Sequence, residues 1–169
     1  WPARWGRNTP LLRVRRFGIF VSLKHMDDSA RLRLVLFRLG LHLFAVPADV
    51  VREVIPAGRA TRIPGAAALV TGLVNFRGTL LTVIDGRIAL GLDPGAAAGE
   101  SVVVLDRGER SLGLMVDEVL DLVEVAPSDL RNGEGPAGLD PHMVSAAGMH
   151  AGRIFAVLDT DRLLAPALP

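Results

Sequence analysis

Cysteine is absent from this chain of 169 residues. That excludes disulfides, thiolate nucleophiles and cysteine-ligated metals, and it fits a reducing compartment. Lysine is almost absent too: the single one, Lys24, lies near the N-terminus, so no Walker-type GxxxxGK[ST] phosphate loop can be built. No window reaches about 18 uninterrupted apolar residues, the least a membrane-spanning helix needs. The histidines, His25, His42, His142 and His150, show no HExxH-like spacing, and no metal centre is expected. Serines such as Ser111 and Ser145 lack a GxSxG elbow and an evident base. Gly133–Gly138 matches GxGxxG literally, but no strand leads into it and Pro136 removes a backbone donor. A flexible loop is expected there, and no cofactor is expected anywhere.

What the chain does have is apolar material. Half its residues are hydrophobic, enough for the core of one domain or of two tightly fused small ones. The formal charge of +1 hides an asymmetry. Residues 1–25 carry five arginines, one lysine and no acid, whereas residues 26–169 carry 13 arginines against 18 acids. A mildly acidic body argues against a broad nucleic-acid footprint. The leader 1–25 reads as a non-native or disordered extension, with Met26 as the biological start. Its apolar stretch is broken by Arg13, Arg15 and Arg16, which disfavours a signal core. A basic amphipathic anchor is the alternative.

Short apolar runs separated by turn signals fill the body. Arg31–Arg38 and Leu41–Val46 read as two strands around a tight turn at Gly40. Val74–Ile84 reads as two strands meeting at Arg77-Gly78. Ser101–Asp106 and Ser111–Val116 form another pair, and Ile154–Leu158 a late strand before a helical turn at Asp159–Leu164. The segments after Pro47 and after Asp117 are ambiguous between strand, which their β-branched residues favour, and helix, which their spacing favours. This pattern predicts a mainly all-β barrel or sandwich.

An internal repeat sharpens the prediction. LFAVPADVVREVI (43–55) aligns with SLGLMVDEVLDLV (111–123) at an offset of 68, placing Asp49 on Asp117 and Glu53 on Asp121. RGTLLTVID (77–85) aligns with AGRIFAVLD (151–159) at an offset of 74, placing Gly78 on Gly152 and Asp85 on Asp159. Each copy is too small to stand comfortably alone, so the two should share a core.

Two readings of chemistry compete. Asp85 and Asp159, at equivalent strand ends, could serve as the carboxylate pair of a small acid–base hydrolase. The simpler reading makes each the cap of the turn that follows it. Arg77, on its strand corner, could instead reach outward to a partner or pair within the chain, with Asp85 or a neighbour.

Several motifs together resemble the CheW-like domain of the chemotaxis coupling (adaptor) protein CheW family. They are V-x-E-V (51–54), T-x-I-P (61–64), GLVNFRG (72–78), D-x-R (85–87) and GLMVDEV (113–119). The resemblance covers about residues 31–165. It implies two intertwined five-stranded SH3-like β-barrels sharing a core with short helical turns, their halves at roughly 31–100 and 101–165. It also implies a non-enzymatic cytoplasmic adaptor, held at membrane-bound receptor arrays without membrane insertion. The adaptor would couple a chemoreceptor cytoplasmic tip to the regulatory domain of a CheA-type histidine kinase. Carried over by motif, Asn75, Arg77 and Gly78 would face the receptor, and Val51 and Glu53 would lie near the kinase contact. Two departures stand out. Thr82 occupies a position where the family often has Pro, and Gly86 one where it often has Leu; Gly86 is expected to loosen the strand exit. The chain could thus serve a different sensory array, and without kinase or receiver sequence it reads as a stand-alone coupler.

Overall fold

Twelve strands and two one-turn helices are laid out in a computed structural model that describes residues 11–14, 19–22, 31–95, 99–108, 110–132, 135 and 139–167. Within the leader, β1 (Leu11–Val14) pairs antiparallel with β2 (Ile19–Ser22); the expectation of a non-native or disordered extension otherwise falls outside the described residues, as does most of Gly133–Gly138.

The body contains β3 (Leu32–Leu39), β4 (His42–Pro47), β5 (Val51–Pro56), β6 (Val70–Phe76), β7 (Thr79–Asp85), β8 (Ser101–Arg107), β9 (Arg110–Val116), β10 (Glu118–Val125), β11 (Val144–His150) and β12 (Arg153–Leu158). Helix α1 (Gly86–Ala89) follows β7, and α2 (Thr160–Leu164) follows β12. Both ambiguous segments are strands, β5 and β10. Each pairs with a neighbour and buries Val51 and Val54, or Val119 and Val123, so tertiary pairing decides where local spacing did not.

The strands form two five-stranded sheets, ordered β5-β8-β9-β7-β6 and β10-β3-β4-β12-β11. A bridge between Thr61 and Leu73 joins the chain leaving β5 to the opposite edge β6, and one between Arg131 and Ala147 does the same for β10 and β11. These are two small SH3-like barrels. The repeat is reproduced down to its irregularities. Bulges interrupt β5 between Val51 and Glu53 and β10 between Val119 and Asp121, at the same offset of 68. Those in β6 (Val70/Gly72) and β11 (Val144/Ala146) differ by 74.

The barrels do not coincide with the two sequence halves. The first barrel is the continuous stretch from β5 to β9, residues 51–116. The second combines β3 and β4 with β10, β11 and β12. A division near residue 100 therefore marks the duplication and not the barrels: each copy lends its opening hairpin to its twin. The main chain passes between barrels at the 3-10 turn Ala48–Val50 and at Asp117.

Packing explains why several strands are apolar on both faces. Along β3, Leu34 and Leu36 fill the second barrel with Leu43 and Phe155. Val35 and Phe37 point the other way, into a larger core shared with Ile84, Val103 and Leu114 of the first barrel. The first barrel has its own filling, including Phe76, Leu81 and Val102. Cores of this kind are held chiefly by apolar burial, worth roughly 25 cal/mol per Å² removed from water.

Candidate functional site

The corner between β6 and β7 is a two-residue turn with Arg77 at φ 52° and Gly78 at φ 82°. Two positive φ values suit the right-handed twist of a tight hairpin, and glycine bears the second at no steric cost. Asn75 Oδ1 accepts a hydrogen bond from the Gly78 amide at 2.9 Å, closing the turn. The repeat builds the same corner at Ala151 (φ 48°) and Gly152 (φ 74°).

Only the first copy carries charge there. The Arg77 side chain is 69% exposed, and its Nη2 donates to Glu53 Oε2 at 2.8 Å. Arg77 also stands over the Phe76 ring, 5.4 Å from its centroid, while Arg52 approaches the same ring at 5.8 Å. Arg52 in turn reaches Asp106 at 3.8 Å and Ser111 Oγ at 3.4 Å. The two motif segments meet: Glu53 lies on β5 and Arg77 at the β6–β7 corner, so the pair ties the two edge strands of the first barrel together. The partner of Arg77 is thus Glu53 and not Asp85. Val51 differs from the other carried-over residues. It is 2% exposed and belongs to the shared core, so its side chain presents nothing at the surface.

A second polar cluster lies where the chain crosses at Asp117, a charged residue only 7% exposed. Arg87 of α1 grips its carboxylate with two hydrogen bonds, Nε to Oδ1 at 3.0 Å and Nη2 to Oδ2 at 2.7 Å. The Gly40 amide donates to Oδ2 at 2.7 Å and Arg38 Nη1 at 3.2 Å. Burial pushes the Asp117 carboxyl up, but the hydrogen bonds from Arg87 and Gly40 and the two guanidinium charges outweigh it and leave it below the ordinary value of 3.8. The Asp117 hydrogen bond likewise raises Arg87 against its own desolvation. A neighbouring cavity of about 10 Å³ is lined by Leu39, Asp85, Arg87, Gly99, Met115 and Asp117. It has room for about one water, against the several hundred Å³ of a usual ligand site. In the sequence Arg87 stands only within the D-x-R motif, and Asp117 only within GLMVDEV and as the repeat partner of Asp49. The available signal was an acid placed directly after the apolar run GLMV, for which burial requires a cation.

The hydrolase reading fails on what the carboxylates do. Asp85 Oδ1 accepts from the amides of Arg87 (2.8 Å) and Ile88 (3.3 Å), and Asp159 Oδ1 from those of Asp161 (3.0 Å) and Arg162 (3.1 Å). Each caps a one-turn helix, α1 or α2, as the simpler reading expects. Ser111 Oγ donates to Asp106 at 2.6 Å and Ser145 Oγ to the Val157 carbonyl at 3.1 Å, both structural contacts. Among the described residues no three His, Cys, Asp or Glu side chains are placed to hold a metal, and no helix is long and apolar enough to cross a membrane.

Gly86 also departs from expectation. A Cβ there would lie 2.7 Å from the Met115 carbonyl oxygen and 3.1 Å from a Leu39 methyl. The position is tight, so glycine admits close packing and does not loosen the strand exit.

Comparison with known proteins agrees with this architecture. The family model for the CheW-like domain matches residues 33–167. The chemotaxis protein CheW of Rhizobium meliloti is 33% identical over 111 residues, covering 65% of this chain and 71% of that protein. Protein PilI of Pseudomonas aeruginosa is 35% identical over 88 residues, covering 51% and 49%. The crystal structure of the scaffolding protein TtCheW from Thermoanaerobacter tengcongensis superposes with a TM-score of 0.72 at 20% identity, covering 83% of this chain and 94% of that one. With a family match spanning most of its length and the fold to go with it, the chain belongs to the CheW-like domain family of non-enzymatic chemotaxis adaptors.

Proposed function

We propose that this chain works as an adaptor between chemoreceptors and a CheA-type histidine kinase, at receptor arrays on the cytoplasmic side of the membrane. The observation that carries the reading is the Arg77–Glu53 pair. It sits at one end of the first barrel and links the segment assigned to the receptor with the one assigned to the kinase. In this reading Arg77 supplies an exposed guanidinium to the receptor tip, and Asn75 and Gly78 act by holding the turn that presents it. Glu53 marks the kinase side, and Val51 supports β5 from within.

The test is binding of residues 26–169, the proposed extent of the domain, to a kinase regulatory domain and to a receptor cytoplasmic hairpin. Binding to both is expected. Failure to bind either one sinks the adaptor reading.

A further inference from the structure

The hydrophobic driving force is non-directional: it draws two surfaces together and does not by itself select the angle between them. The shared core of Phe37, Phe44, Ile84, Val103 and Leu114 supplies cohesion of this kind. A bidentate guanidinium–carboxylate contact is the opposite, modest in area and strict in geometry. Among the contacts between the barrels, the group around Asp117 is of this second type.

Its members come from both sides. Arg38 and Gly40 belong to the β3–β4 hairpin of the second barrel, and Arg87 follows β7 of the first. Asp117 is itself the link between β9 and β10. Its backbone is tied both ways as well: its amide donates to the Arg38 carbonyl at 3.1 Å, and its carbonyl accepts from the Glu100 amide at 3.3 Å. The first-barrel loop reaches the cluster too, through a hydrogen bond from Arg87 Nη1 to the Pro94 carbonyl at 2.8 Å.

The duplication provides an internal control. The positions equivalent to Arg38, Arg87 and Asp117 are Asp106, Asp161 and Asp49. No cation stands among them, so the same contact cannot form at the other crossing. There the Asp49 side chain is exposed, without a hydrogen bond or ion pair among the described residues.

We infer that Arg38, Arg87 and Asp117 form a one-sided pin that sets the angle between the barrels, leaving the 48–50 crossing as the compliant one. In this role they are positioning residues, acting on how the two barrels present themselves rather than by touching a partner. The inference holds whether or not the adaptor reading does, because it concerns the isolated chain.

The absence of cysteine makes the test direct. Spin labels are placed through Leu80→Cys on the first barrel and Ile154→Cys on the second, equivalent and exposed positions, and the distance between them is measured by pulsed electron resonance. A single narrow distance is expected for the otherwise unaltered chain. Arg87→Lys keeps the charge and removes the fork, and Asp117→Asn keeps the shape and removes the charge. Both should broaden or shift the distribution while circular dichroism stays unchanged, and Asp49→Asn should leave it alone. Unaltered distances in folded Arg87→Lys and Asp117→Asn would overturn the inference, as would an equal effect of Asp49→Asn. If neither of the first two folds, the partly exposed Arg38→Gln decides by the same measure: a broadened distance supports the pin and an unaltered one rejects it.

Discussion

Arg77 Nη2 lies 2.8 Å from Glu53 Oε2, joining two segments more than twenty residues apart in the chain. Glu53 is mostly covered, its side chain 19% exposed, whereas Arg77 is open to solvent. A pair so placed contributes little to folding, about 0–1 kcal/mol. Arg77→Ala should therefore weaken receptor coupling and hardly move the melting temperature; alanine bears the same left-handed backbone strain as arginine, so no new cost enters through φ. A loss of many degrees in calorimetry would make Arg77 structural instead.

Removing the Asp117 charge should act on folding. Asp117→Asn leaves Arg87, itself mostly covered, facing a neutral amide in a low-dielectric site. Breaking one partner of such a buried pair costs about 3 kcal/mol. Urea unfolding of Asp117→Asn and Arg87→Ala, singly and together, should show strong non-additivity, since each single change already abolishes the pair.

Acid should do reversibly what that substitution does permanently. Because the folded carboxyl of Asp117 titrates below its ordinary value of 3.8, its contribution is complete above that value and is lost as pH falls through the lowered folded one. The difference in urea midpoint between the unaltered chain and Asp117→Asn should shrink as pH drops below 3.8. A difference that stays constant down to acid unfolding would show that the charge of Asp117 does not stabilise the fold.

Asp85 and Asp159 separate the capping role from any catalytic one. Replacement of either by alanine should cost about 1 kcal/mol, the usual loss at a helix N-cap. The larger loss is expected at Asp85, whose charge also supports Arg87. Equal binding of both variants to kinase and receptor, measured by calorimetry, is the expected companion result.

Gly86→Leu should destabilise this chain by about 1–3 kcal/mol through overpacking. Leu39→Ala in the same background should recover part of the loss by freeing the methyl contacts, and the Met115 carbonyl should prevent full recovery.

Much of the site was legible in residues such as Gly78 and Asp85. A glycine after Arg77 between two apolar runs announces a hairpin, and an aspartate closing such a run announces a cap, because both are demands of local backbone geometry. The repeat carried the same information twice, and Gly152 and Asp159 repeat both features. The turn signal marks Arg77 but not its partner: Asp85 and Glu53 are both available acids along a line of sequence, and only closure of the barrel, which brings the edge strands β5 and β6 together, places Glu53 beside the corner.

The amino-acid sequence by itself determined the all-β class, the duplication, the turns and the caps, since these follow from apolar periodicity and from φ values that few residues tolerate. Tertiary structure alone decided that β5 and β10 are strands and that the copies exchange hairpins. It also decided that the chain crosses at Asp117, where Arg38, Arg87 and the Gly40 amide converge. The physical reason is range. Steric limits act between neighbours, whereas strand partners and buried ion pairs are chosen by desolvation, whose cost depends on every segment that closes over them.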